Sequence, residues 1–169
     1  MPDEILDLVS QDDIIIGQLP RSEVYAQNLS NFRVVNAFVI NSQGQLWIPR
    51  RTKTKRIFPL CLDTSMGGHV ESGETYQQAF ERELYEELNL DTKNIAYEMI
   101  GKLTPHEHKT SAFMQVYLIH LEDTPKYNSK DFCEYFWLTP QECLDKLSAG
   151  DTSKNDLPKI IRQLLVHSK

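Results

Sequence analysis

The chain has 169 residues, 40% of them hydrophobic and 25% charged, the balance of an ordinary folded protein with material for one domain (1–169) and a sizeable core. Its formal net charge of −6 argues against a long nucleic-acid backbone as the main partner, because domains that hold one present a basic face. No stretch approaches the ~20 apolar residues of a membrane span, and the acidic start Met1-Pro2-Asp3-Glu4 lacks the features of a targeting segment. Cys61, Cys133 and Cys143 are odd in number with no C-x-x-C pair, so neither a disulfide framework nor a structural zinc site is indicated, and a reducing cytoplasm is the expected compartment.

In chain order, residues 4 to 9 and 13 to 19 read as two short strands around the turn Gln11-Asp12-Asp13, and Ser22 to Gln27 as a short helix, so that residues 1–30 form a unit packed on the core. The β-branched run Arg33 to Ile40 meets Leu46 to Pro49 across Asn41-Ser42-Gln43-Gly44-Gln45, a hairpin signal between two core strands. Residues 51 to 65 lack periodicity, and Ser65 to Val70 leads into a loop and a helix over 75–89. Thr75 with Gln78 is a capping-box pair, Gly73 suits the tight loop before it, and Tyr76, Phe80, Leu84 and Leu88 recur at i+4 as a buried stripe. Strand-like runs follow at about 95–104 and 112–121, then a strand at Glu134 to Leu138, a helix at Pro140 to Leu147 and a terminal helix at Leu157 to His167. The simplest architecture for that order is a mixed sheet with helices on both faces.

The chemistry concentrates between Gly68 and Leu90. At 3.6 residues per turn, Glu83, Glu86 and Glu87 fall within an arc of roughly 100°. Charges of one sign placed so close repel and raise one another's pKa unless a cation sits among them. Mg²⁺ prefers such hard oxygen ligands, keeps several waters and binds phosphates directly, with Mn²⁺ as an alternative ion. The basic residues Arg50, Arg51, Lys53, Lys55 and Arg56 read either as a grip on phosphates or as a solvated loop.

The run Gly68-His69-Val70-Glu71-Ser72-Gly73-Glu74, then Arg82-Glu83-Leu84-Tyr85-Glu86-Glu87-Leu88-Asn89-Leu90, resembles the signature of the Nudix hydrolases, G-x5-E-x7-R-E-U-x-E-E-x-G-U with U aliphatic. Only Asn89 departs, and Asn is the next most tolerant residue after Gly of the left-handed backbone expected there. The resemblance implies an α/β/α sandwich and a magnesium-dependent pyrophosphohydrolase acting on a nucleoside diphosphate linked to a group X, as a monomer or homodimer. It implies Glu86 and Glu87 as principal metal ligands and Glu83 as a further ligand or base. Arg82 would hold Glu83, Glu74 would brace the loop beginning at Gly68, and the carbonyl of Gly67 would complete the coordination. Glu107 and Glu134 are candidates for an additional carboxylate; His69 could face metal or phosphate, and the pair His106 and His108 reads as a solvated surface. Trp47, Phe58 and Phe113 are core residues by default that could stack on a base.

Stretches outside the signature, including Arg21-Ser22-Glu23-Val24 and Trp47 to Arg51, look like the branch of the family that contains isopentenyl diphosphate isomerase. Those isomerases need a cysteine immediately before the Gly-His pair, and Gly67 stands there. The remaining alternative is a noncatalytic nucleotide-binding domain, which the full set of signature carboxylates argues against.

Overall fold

The computed structural model describes residues 3–166. Strands β1 (Ile5–Val9) and β2 (Ile15–Pro20) form a separate antiparallel ribbon and run directly into helix α1 (Arg21–Ala26). The main sheet uses β3 (Arg33–Ile40), β4 (Leu46–Arg51), β5 (Met66–His69), β6 (Ala96–Leu103), β7 (Phe113–His120) and β8 (Phe132–Leu138), in the order β6-β7-β3-β4-β8 with β5 also paired to β3. The pair β3–β7 is parallel and the others are antiparallel, so the sheet is mixed. Four helices complete the fold: α2 (Tyr76–Leu88), α3 (Pro105–His108), α4 (Pro140–Ser148) and α5 (Asp156–Leu164).

Strand β3 shows why the sheet is covered on both faces: it is apolar at nearly every position, the pattern of a strand with no solvent side. Val35, Ala37 and Val39 pack with Phe80, Leu84 and Leu88 of α2. Their neighbour Phe38 points the other way, into Cys143 and Leu144 of α4 and Leu157, Ile160 and Ile161 of α5. The fold is an α/β/α sandwich.

Helix α2 forms where its end signals predict. Thr75 and Gln78 close the capping box, and Asn89 ends the helix at φ 55 and ψ 36, in the left-handed region. The predicted hairpin forms only in part. Asn41 Oδ1 accepts the N–H groups of Gln43 and Gln45, at 3.0 and 2.9 Å, yet β3 and β4 pair only at Ile40 and Leu46. Beyond that point β5 takes the edge of β3 and β8 takes β4, so the two strands splay. Residues 52–65 run through the gap, and several of them line the cleft described below.

Two further departures are local. His106 and His108 lie in the single turn α3, where Thr104 Oγ1 accepts from Glu107 N–H and His108 Nδ1 accepts from Thr104 N–H at 3.0 Å, so the pair is a capped turn. The terminal helix starts at Asp156 and ends at Leu164; His167, its predicted end, lies outside the described residues. Among the described residues no helix is long and apolar enough to cross a membrane.

Candidate active site

Strand β5 carries Gly67 and Gly68 past the middle of α2, and the approach is closer than any side chain allows. A Cβ on Gly68 would lie 2.2 Å from Cδ of Glu83, and one on Gly67 would lie 2.7 Å from Oδ1 of Asn36 and 3.3 Å from the Val35 carbonyl. Replacing Gly68 by Ala is therefore expected to push Glu83 out of place and lower kcat by more than about tenfold, as displacements of about 1 Å do. Steady-state kinetics at saturating metal check it. The contact at Gly67 also disfavours isomerase chemistry, since the cysteine that chemistry requires would collide with Asn36.

The carboxylates meet at this crossing. Glu87 keeps some exposed surface as a residue, but its carboxyl group is enclosed; Oε1 accepts the Gly67 N–H at 2.8 Å. Burial first, and the charge of Glu83 second, raise its pKa well above the ordinary 4.5. Burial likewise lifts Glu83 to about 7, against the pull of Arg82. Arg82 is the hub of the loop: its Nε and Nη2 form a fork on Glu74 at 2.8 and 2.9 Å, Nη2 also reaches the His69 carbonyl at 3.0 Å, and Nη1 bonds Glu83 at 2.8 Å. Glu74, held below its usual pKa by that fork, also accepts the Glu71 N–H at 2.9 Å, so one carboxylate ties the loop to the helix. Glu86 stands exposed at the lip, 3.5 Å from Arg82 Nη1.

The three carboxylates share one side of α2 without converging. Among the described residues no three His, Cys, Asp or Glu side chains stand close enough to grip an ion as they are. Arg82 draws Glu83 and Glu86 toward itself, while Glu87 turns inward to the Gly67 N–H, and mutual repulsion favours this spread. The donor set nonetheless fits a hard divalent cation: enclosed carboxylate oxygens raised in pKa first by burial and then by neighbouring carboxylates, with Asp63 and Asp131 adding to the negative field at Glu87.

A cleft of about 670 Å³ opens in front of them. Its lining also carries basic side chains: Arg51 at the end of β4, Lys55 and Arg56 from the segment after it, Lys154 before α5 and Arg21 from α1. Arg51 is held by Asp63 at 3.1 Å and Lys55 by Asp131 at 2.7 Å, while the buried Nε of Arg21 has no protein partner. Arg50 does not belong to this lining. Strand alternation turns it to the face of Leu46 and Ile48, where it makes a two-pronged bond with Asp151, both contacts at 2.9 Å, and pairs with Glu134. Arg50→Ala is accordingly expected to lower the thermal midpoint by roughly 3–6 °C, for about 1.5 kcal/mol lost, and to leave KM unchanged. Arg51→Ala should instead raise KM, and should also lower the midpoint, because the buried Asp63 loses its partner.

Neither Glu107 nor Glu134 lines the cleft. Phe58 does, whereas Trp47 is fully buried against Phe132 and Phe113 is almost so. Arg21 and Tyr25 are among the cleft residues that local sequence patterns miss, with Asp63, Asp131 and Lys154; a single Arg or Tyr in a six-residue helix carries no motif, and the packing of the ribbon brings these two to the site.

A sandwich of this topology with a glycine-crossed, Arg-braced acidic helix defines a class of phosphoanhydride-cleaving domains, and the comparisons agree with it. Residues 30–158 match the NUDIX domain family. An uncharacterized Nudix hydrolase of Nostoc sp. is 58% identical over 159 residues, covering 94% of each chain. A Nudix hydrolase of Deinococcus radiodurans is 44% identical over 161 residues, covering 95% of this chain and 94% of its own. A crystal structure from Deinococcus radiodurans superposes with a TM-score of 0.91 at 42% identity, covering 96% of this chain and all of that one. The chain belongs to the Nudix family and is a pyrophosphohydrolase of it.

Proposed function

We propose that the protein hydrolyses small nucleoside diphosphates linked to a further group, namely nucleoside di- and triphosphates or nucleotide-sugars, and requires Mg²⁺ or Mn²⁺. The observation that carries this reading is a single cleft lined both by the enclosed carboxylates Glu83 and Glu87 and by the cations of Arg21, Arg51, Lys55 and Arg56. Glu83, Glu86 and Glu87, with the carbonyl of Gly67, would hold the ions. A divalent ion there neutralises phosphate oxygens and makes water more acidic.

The remaining work falls to side chains. Arg51, Lys55, Arg56 and Arg21 compensate the negative charge of two or three phosphates, a span too short for a long polyanion. Arg82 fixes the orientation of Glu83. Glu83, fixed by Arg82 beside the crossing of β5 and α2, is placed to take a proton from the attacking water. The water oxygen bonds to phosphorus, the bridging P–O bond breaks, the leaving phosphate keeps the bonding pair, and Glu83 carries the proton until it returns to solvent. A nucleoside diphosphate would yield the monophosphate and phosphate.

Three free cysteines support a reducing cytoplasm as the working compartment. The ribbon and α1, which contribute Arg21 to the cleft lining, are part of the same functional unit as the sandwich. Phosphate release from a panel of nucleotides and nucleotide-sugars, with and without Mg²⁺ or Mn²⁺, tests the proposal. Turnover of capped RNA or prenyl diphosphate in place of the whole panel overturns it, as does NMR-detected conversion of isopentenyl diphosphate to its dimethylallyl isomer.

A further inference from the structure

Three consecutive isoleucines of the amino-terminal ribbon stand in solvent: Ile14, Ile15 and Ile16 are 62%, 53% and 66% exposed. A single exposed isoleucine is ordinary, but three in a row entering a strand put apolar side chains on both of its faces. None of the three lines the cleft, so the hydrolytic site does not account for them.

The backbone beneath them is also short of partners. Strand β1 has its outer edge covered: the Ile5 carbonyl accepts the Ser72 N–H at 2.8 Å, Leu6 bridges to Glu71, and Val9 gives its N–H to the Asn31 carbonyl at 2.9 Å and its carbonyl to Asn31 Nδ2 at 3.0 Å. Strand β2 has β1 on one side and, among the described residues, no strand on the other. The ribbon's register shifts between Leu8 and Val9, which leaves Ile16 without a partner on β1. Sheets commonly guard a free edge with lysine, proline or a charge, and residues 14–17 carry none of these. The turn just before them is pinned to the body, since Arg33 bonds the Asp13 carboxylate at 2.7 Å and its carbonyl at 2.6 Å, and the Tyr76 hydroxyl bonds the same carboxylate at 2.8 Å. The apolar edge is therefore held in one place, and docking on it costs little ordering.

We propose that β2 is a self-association edge, on which two copies of the chain join antiparallel, β2 to β2, about a two-fold axis through Ile16. This strand is complementary to itself in that register. Ile16 meets its own copy, Ile14 faces Gln18 of the other copy, and Ile15 faces Gly17. A Cβ at Gly17 would meet nothing within 4 Å, so Ile15 finds open space there. Asp13 faces Leu19 and Asp12 faces Pro20, so no carboxylate is set against another. The same two aspartates, on a chain of net charge −6, turn away nucleic acid and anionic lipid headgroups. Ladder hydrogen bonds supply affinity and the isoleucines supply the apolar contact. Three isoleucines and a short ladder fall below the roughly 800 Å² per partner of a standard interface, so the dimer is reversible, half-formed at about 100 µM.

Sedimentation velocity between about 5 and 500 µM should show the wild type passing from monomer to dimer. Ile16→Lys and Ile16→Glu each set like charges face to face across the axis, and each variant alone should stay monomeric over the whole range. Both should keep the wild-type thermal midpoint and kcat at low concentration, because the side chain is exposed and remote from the cleft. Mixed one to one, the two variants should recover the dimer, since the axis then sets lysine against glutamate. No foreign partner would produce that rescue. A wild type that stays monomeric to about 500 µM, variants that dimerise alone as the wild type does, or a mixture that remains monomeric overturns the proposal.

Discussion

Glu87→Gln is expected to lower kcat by at least about a hundredfold, measured as phosphate release at limiting Mg²⁺, while the protein keeps or gains stability. The two effects come from one fact: the carboxyl group of Glu87 is enclosed, and burial together with Glu83 makes its charge costly. A charge held at such cost repays it only when a cation arrives, and a hundredfold loss, about 3 kcal/mol, is the scale on which removal of one electrostatic contributor is felt. Gln preserves the volume, and its Oε1 can accept the Gly67 N–H that Glu87 accepts at 2.8 Å, so the crossing of β5 and α2 survives. The thermal midpoint should therefore stay level or rise. Glu86→Gln, at the exposed lip, should also slow turnover but leave the midpoint unchanged, because its charge is already solvated. Near-wild-type turnover in both variants at limiting Mg²⁺ would remove the metal-ligand assignment.

What was legible in the sequence is what short-range geometry decides. Helix α2 announces both ends by local chemistry, the capping box at Thr75 and the left-handed stop at Asn89, and a fixed spacing puts Glu83, Glu86 and Glu87 on one side of it. The departures depend on partners distant in the chain. Arg50 and Arg51 look alike in a basic run, but alternation along β4 sends one to Asp151 and the other to the cleft, and Asp151 is a hundred residues away. The β3–β4 hairpin reads correctly at its turn and fails beyond it, because β5 competes for the same edge with glycines that let it lie close. Arg21 and Tyr25 reach the site because the ribbon that precedes them is clamped to the signature loop: Ile5 accepts the Ser72 N–H at 2.8 Å, and Asp7 accepts from the Ser72 hydroxyl at 2.7 Å. The spacing that puts the three carboxylates within one arc of α2 does not show that Arg82 and the Gly67 N–H draw Glu83 and Glu87 in different directions.

The same tension sets how the metal-free protein responds to pH. Glu83 has a folded-state pKa of about 7 against an ordinary 4.5, so between those values the folded state binds more protons than the unfolded one. Stability must then fall as pH rises across the window, by about 3 kcal/mol at most, or roughly 6–12 °C in midpoint for a chain this size. Glu87 acts in the same direction. Below the window the sign reverses: Asp151, held well below its usual pKa chiefly by Arg50, and Glu74, held down by Arg82, lose their partners' benefit as they take up protons. The metal-free protein should thus be most stable near pH 4.5 to 5 and weaken toward neutrality. Mg²⁺ favours the charged carboxylates, so the rise in midpoint it produces should be small at pH 5 and grow steadily to pH 7.5. Calorimetry across that range, with chelator and with Mg²⁺, checks both limbs, and Glu83→Gln should flatten much of the chelator limb. A midpoint independent of pH between 5 and 7.5 without metal, or a Glu83→Gln variant with the wild-type slope, would show that the enclosed carboxylates do not carry the charge stress on which the proposed metal site depends.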